Sequence, residues 1–151
     1  MAITQDTFNQ YVDIGYHGQL NRDFHWWAAS PKAEGGSIGF GVVVEYGTED
    51  DQAVVLTSGV PQGKIIGVTL RTQSVENTIT GLSEYEEGRA MSVLVHGRMY
   101  VRCDDATTAG NPVYGVPATG AISGTAEGNI ELNGRFVRTA AAGEITEIEL
   151  Y

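Results

Sequence analysis

The chain has 151 residues, 42% of them hydrophobic, and a formal net charge of −10 from Lys+Arg 9 against Asp+Glu 19. That length suits one domain, which buries roughly 68–70% of its unfolded surface and needs no metal or disulfide to stay folded. The acidic balance is repelled by phosphate backbones and anionic bilayers, so neither nucleic acid nor membrane is an expected partner. The hydrophobic share excludes a wholly disordered chain. Twenty glycines are roughly twice the usual share and follow no Gly-X-Y period, which implies many turns between short strands. The start, MAITQDTFNQ, lacks a basic and apolar leader, and no run approaches the roughly 18 apolar residues that span a bilayer. Synthesis in a cytoplasm is therefore expected.

The first segment, residues 1–36, is irregular. Phe8, Tyr11, Tyr16, Phe24, Trp26 and Trp27 crowd into it with no period of 2 or 3.6. Such a segment either packs across its own domain or forms an arm that buries its rings against another subunit, where Trp and Tyr are favoured anchors. As an arm, residues 1–34 would be mobile in the free protein, and deleting them would spare the melting transition of the rest.

From Ser37 to Tyr151 the pattern is regular. Ile38–Tyr46, Ala53–Leu56 and Lys64–Leu70 read as strands, separated by the acidic turn Gly47–Asp51 and the loop Ser58–Gly63. Residues 71–90 are polar. Met91–Val95 and Arg98–Cys103 read as a hairpin about His96-Gly97, with Met99, Val101 and Cys103 on one face and Arg98, Tyr100 and Arg102 on the other. Val113-Tyr114 returns as a strand, and Ala118–Asn129 is small, Gly-rich and read as loop. Asn133-Gly134 predicts a second hairpin turn, and Ile145–Tyr151 the last strand. The pattern predicts an all-β domain of about eight short strands, a small barrel or sandwich over 37–151, preceded by the N-terminal arm or extended segment 1–36. Cys103 has no partner for an intrachain disulfide and, placed in an alternating strand, reads as a buried hydrophobe.

The usual signs of chemistry are missing. Gly36-Ser-Ile-Gly-Phe-Gly41 leads into a strand, whereas a phosphate cradle needs a helix N-terminus. Gly63-Lys64 is followed by Ile65 where a phosphate loop requires Ser or Thr. His17, His25 and His96 are scattered, and a zinc site needs three or four convergent ligands. The acidic groups Glu49-Asp50-Asp51, Glu84-Glu86-Glu87 and Asp104-Asp105 lack EF-hand spacing and read as solvated turns. No Gly-x-Ser-x-Gly elbow marks a nucleophile. The expectation is no catalytic residue, no metal and no cofactor.

The order of short phrases carries a resemblance. Tyr16-His-Gly-Gln-Leu-Asn21, Ser30-Pro-Lys-Ala-Glu34, Ile38-Gly-Phe-Gly-Val-Val43 and Ile65-Ile-Gly-Val68 come first. Tyr85–Val93, Gly97-Arg-Met-Tyr-Val101, Ala109–Tyr114, Asn133-Gly-Arg135 and the strand within Gly143–Leu150 complete the series. In this order and spacing the chain resembles the capsid cement (decoration) proteins of tailed bacteriophages. The resemblance departs at the Trp26-Trp27 pair and in the polar stretch 71–84. It implies a non-enzymatic, β-rich virion protein on the outer capsid surface, bound to the major capsid protein and to itself as a homodimer or homotrimer. Phe8, Tyr11, Tyr16, Phe24, Trp26 and Trp27 are then the expected partner-binding residues. A carbohydrate-binding β-module on a virion surface or tail, with Tyr16, Trp26 and Trp27 as a stacking platform, is the alternative. A hydrolase reading rests only on unplaced Ser, His and Asp.

Overall fold

A computed structural model describes residues 14–72 and 84–151. Phe8 and Tyr11 lie outside the described residues. The longest strand, β9 (Val93–Arg102), belongs to two sheets at once. Its first half pairs on one side with β2 (Trp27–Ala29) and on the other with β7 (Ile65–Thr69), which leads through β5 (Val43–Tyr46) and β6 (Gln52–Val55) to β3 (Lys32–Ala33). Its second half pairs with β1 (Gln19–Asn21) and with β13 (Ile145–Leu150), which leads through β12 (Ile130–Phe136) and β10 (Pro112–Gly115) to β11 (Ile122–Ser123). A separate ribbon joins β4 (Ile38–Gly39) to β8 (Glu84–Tyr85). The sheets do not close into a barrel, and the domain is sandwich-like.

The bend that lets β9 serve both sheets is written in its side chains. Leu94 points into the core between the sheets, and so do Met99, Val101 and Cys103, an odd number of residues further on. Strict alternation would put Met99 on the other face. The parity is reset by an extra residue: Trp27 aligns with His96 but Ala28 with Leu94, so Val95 is bulged out of the ladder. Gly97 follows with φ 132, a conformation that side chains rarely adopt, and the strand swings from one sheet into the other. The expected hairpin at His96-Gly97 is therefore a bend inside one strand. Asn133-Gly134 is likewise no turn: it lies within β12, because β10 pairs with Ile130 and Glu131 before it and β13 with Gly134–Phe136. A Cβ on Gly134 would lie 2.4 Å from the Glu149 carbonyl oxygen, so the glycine serves close strand approach.

Two cores result. The inner one fills the sandwich with Val43, Leu56, Val68 and Leu94 from one sheet and Met99, Val101, Leu132, Phe136, Ile148 and Leu150 from the other. Cys103 lies in it, and burial pushes its thiol above the ordinary value, so it stays protonated as a small hydrophobe, as the sequence indicates. The second core lies on the opposite face of the first sheet, where Val44, Ala53, Ile66, Met91 and Val93 meet Ile38 and Tyr85 of the ribbon. Val43 and Val44 supply one core each, as period-two alternation requires. The Tyr85 hydroxyl donates 2.6 Å to the Leu70 carbonyl, and Phe40 meets its ring edge-on at 5.4 Å.

Other differences from the sequence pattern have local causes. Ile38–Tyr46 is two strands, because Phe40-Gly41 turns between them. The small-residue stretch Ala118–Asn129 contains β11, which pairs with β10. The thirteen described strands exceed the eight expected because several pieces of two or three residues carry no period of their own.

The boundary at residue 36 falls inside this scaffold. β1, β2 and β3 are already hydrogen-bonded into the two sheets, so the described part of the first segment is backbone-paired to its own domain. Its rings are another matter.

Candidate partner-binding surface

β1 and β2 lie end to end along one edge of β9, and the turn between them cannot pair. Arg22-Asp-Phe-His-Trp-Trp27 is consequently six exposed residues in a row, pinned at both ends. Among large hydrophobic residues, Tyr16 is 69% exposed, Phe24 44%, Trp26 41% and Trp27 64%. Single exposed apolar residues are ordinary, but four large rings along one edge form a patch of the kind that marks an interaction site.

The edge has a definite order, read along β9. At the Arg102 end, Arg71 lies 5.4 Å from the Tyr16 ring centroid and 5.7 Å from that of Phe40. The Arg102 backbone N–H donates 2.8 Å to His17 Nδ1. His17 is held below its ordinary value by burial first, then by Arg102 and Arg71, while a backbone hydrogen bond to Phe40 and the Asp104 charge oppose this. It therefore stays neutral, with Nδ1 free to accept. Next, Gln19 aligns with Tyr100, whose ring packs so closely on Gly15 that a Cβ there would lie 2.6 Å from it.

In the middle, the Arg98 guanidinium lies 3.9 Å from the Phe24 ring centroid, a cation–π contact, and 3.6 Å from Glu149. Its Nε is buried and has no hydrogen-bond partner among the described residues. Glu149 also takes both Nε and Nη2 of Arg135, at 3.1 and 2.9 Å. Buried Glu147 accepts from Asn21 Nδ2 at 2.8 Å and Arg138 Nε at 3.0 Å, which ties β1 to β13 across β9. Gly97 follows, and a Cβ on it would lie 2.8 Å from that of Trp26, so the bend in β9 is also the seat of this tryptophan. At the far end Trp27 aligns with His96, whose ring centroid is 6.0 Å from that of His25. From His96 to Arg102 the strip is roughly 20 Å long at about 3.3 Å per residue.

Of the six residues singled out from the sequence, the structure places Tyr16, Phe24, Trp26 and Trp27 along this one edge. The sequence reading did not include Arg22, Arg71, Arg98, Arg102 or His96. The outward alternation of Arg98, Tyr100 and Arg102 was the available signal, but nothing local says that β1 and β2 flank that face. Among the described residues no cluster of three His, Cys, Asp or Glu could hold a metal, and no helix is long and apolar enough to cross a membrane. A separate groove of about 350 Å³ opens where β7 and β13 part company on the other side of β9, lined by Ile65, Gly67, Val95, Leu132 and Leu150 among others.

The most distinctive surface of the sandwich is this aromatic and cationic edge, and exposed patches of that kind are in general a mark of interaction sites. Comparison with known proteins gives the chain a family. The structural cement protein family (E217 gp24/Pam3 gp6) matches residues 4–151, and the chain belongs to it. It is thus a structural protein of the bacteriophage virion, associated with the capsid, as the resemblance implied. A chain of the solved structure "The capsid of Myoviridae Phage XM1" shares the fold, with a TM-score of 0.76 at 18% identity over 99% of this chain and 98% of that one. The base of the bacteriophage phi29 head fibre gp8.5 aligns more loosely, with a TM-score of 0.44 at 12% identity over 84% and 95%. No curated protein matches the sequence.

Proposed function

We infer that the protein binds the outer surface of the assembled head and bridges neighbouring major capsid subunits through the strip from Tyr16 to Trp27. The observation that supports this most is the exposed run Arg22–Trp27, held in place by the β1 and β2 ladders on β9. Because the backbone is already ordered, the run loses little conformational freedom on binding, and the large rings can act as anchors. A ligand that binds only the assembled lattice stabilises it by RT ln(1 + [L]/Kd) per site, and these contributions add over the shell. Association of the protein with itself, as a dimer or trimer, adds avidity.

The test uses heads that lack the protein. Such heads should assemble and package DNA but release it at lower temperature or after osmotic shock. Added protein should restore them and saturate at a fixed copy number per shell. W26A/W27A should keep its melting temperature and lose about 2 kcal/mol or more of binding. If heads without the protein leak no sooner than complete ones, cementing is the wrong role. Binding of W26A/W27A at full strength would place the contact elsewhere on the molecule.

A further inference from the structure

The charge along the strip runs against the charge of the chain. Arg22, Arg71, Arg98 and Arg102 are four of the nine Lys and Arg residues in a protein of net charge −10, and all three histidines lie on the same edge. Among the described residues, Arg22, Arg71 and Arg102 make no ion pair with a carboxylate. Among the described residues, the nearby acids do not cancel them. Glu147 is taken by Arg138, and Glu149 is shared between Arg98 and Arg135. Asp23 and Asp104 remain, both exposed. The cations are also spaced by rings, Arg71 against Tyr16 and Arg98 against Phe24. His17, held below its ordinary value mainly by burial, also feels the Arg102 and Arg71 charges.

The geometry points to a partner surface that presents carboxylates, Asp or Glu side chains of the capsid subunit, to Arg71 and Arg102 at one end of the strip while apolar pockets take Trp26 and Trp27 at the other. This rests on the reading of the strip as the capsid-binding surface and names the chemistry of what it meets. Guanidinium groups bind carboxylates in bidentate fashion, and planar groups braced against rings are partly preorganised for it. A polyanion fits less well. Beyond Trp27 the chain runs on to Lys32, beside Asp51, and Ala33, beside the turn at Glu86–Gly88, so phosphates extending past Trp27 along the chain would meet carboxylates. With screening over about 8 Å at physiological salt, a protein surface of matching length meets only the cationic part.

The experiment measures binding of the purified full-length protein to head shells stripped of it. R71E/R102E should bind about tenfold or more weaker while keeping the wild-type circular dichroism spectrum and a cooperative melt, because both side chains are exposed. Raising salt from about 50 to about 200 mM should weaken the wild type markedly and the double variant much less. K64E, in the 3-10 turn Gln62–Lys64 away from the strip, should behave as wild type. R71K/R102K should retain part of the affinity and introduce amines that carbodiimide joins to carboxylates. Mass spectrometry should then find these positions coupled to Asp or Glu of the capsid subunit. If R71E/R102E binds shells as tightly as wild type, the carboxylate partner is wrong and capsid binding stands. If shells take up neither protein, the capsid-binding reading fails and this inference with it. If duplex DNA competes with shells for the wild type, the strip recognises polyanions, and the proposal is overturned.

Discussion

At the scale of single residues, His17 shows how the strip depends on protonation. Its ring fills the space beside Gly41, where a Cβ would lie 2.3 Å from Nε2, and Nδ1 accepts from the Arg102 backbone. Burial disfavours the charged ring, and protonation would also place a cation beside Arg102 and Arg71 and remove the Nδ1 acceptor. The folded-state value therefore lies below the unfolded one, which is near 6.5. The unfolded chain takes up the proton first, so the stabilisation is complete above about pH 6.5 and is lost as pH falls below it. The melting temperature should drop between pH 7.5 and 5.5. In H17N, whose side-chain oxygen can still accept but cannot titrate in this range, the drop should be shallower. Equal slopes by thermal melts would show that His17 does not govern acid stability.

Among elements, β9 decides most. Gly97 bends it and receives Trp26, and G97A meets both constraints at once: φ 132 and a Cβ 2.8 Å from that of Trp26. The variant should lose on the order of 2 kcal/mol of stability, and quenching of tryptophan fluorescence should increase as Trp26 is displaced. A variant with unchanged melting and fluorescence would mean that the bend tolerates a side chain. This element also shows what a sequence can reveal. Alternation in Arg98–Cys103 correctly separated the buried Met99, Val101 and Cys103 from the outward Arg98, Tyr100 and Arg102. The β class and the long strands were legible for the same reason. The glycine was read as a turn because positive φ is local, whereas the partner that keeps the strand extended, β13, lies some fifty residues away in sequence. The crowding of Tyr16, Phe24, Trp26 and Trp27 was legible in the sequence. The arginines that brace them were not, because Arg71 and Arg98 reach those rings only through the tertiary fold.

For the molecule as a whole, the question is what the first segment does. Were residues 1–34 a detached arm, their removal would leave melting untouched. The described structure predicts otherwise: the deletion takes away β1 and β2 from the edge of β9, β3 from the edge of β6, and the Asn21 bond to buried Glu147. A buried carboxylate that loses a partner is costly. The truncated protein should melt well below the full chain by circular dichroism, and an unchanged transition would restore the arm. The same pairing has a mechanical consequence. The loop that carries the tryptophans is held by one ladder in each sheet, both on a strand that the sheets share. Tension applied at Trp26 divides between two anchors and reaches both halves of the sandwich, so neither ladder bears the full force by itself. Peeling the loop away means breaking a grip in two sheets at once, which the proposed bridging of capsid subunits would require of its anchor.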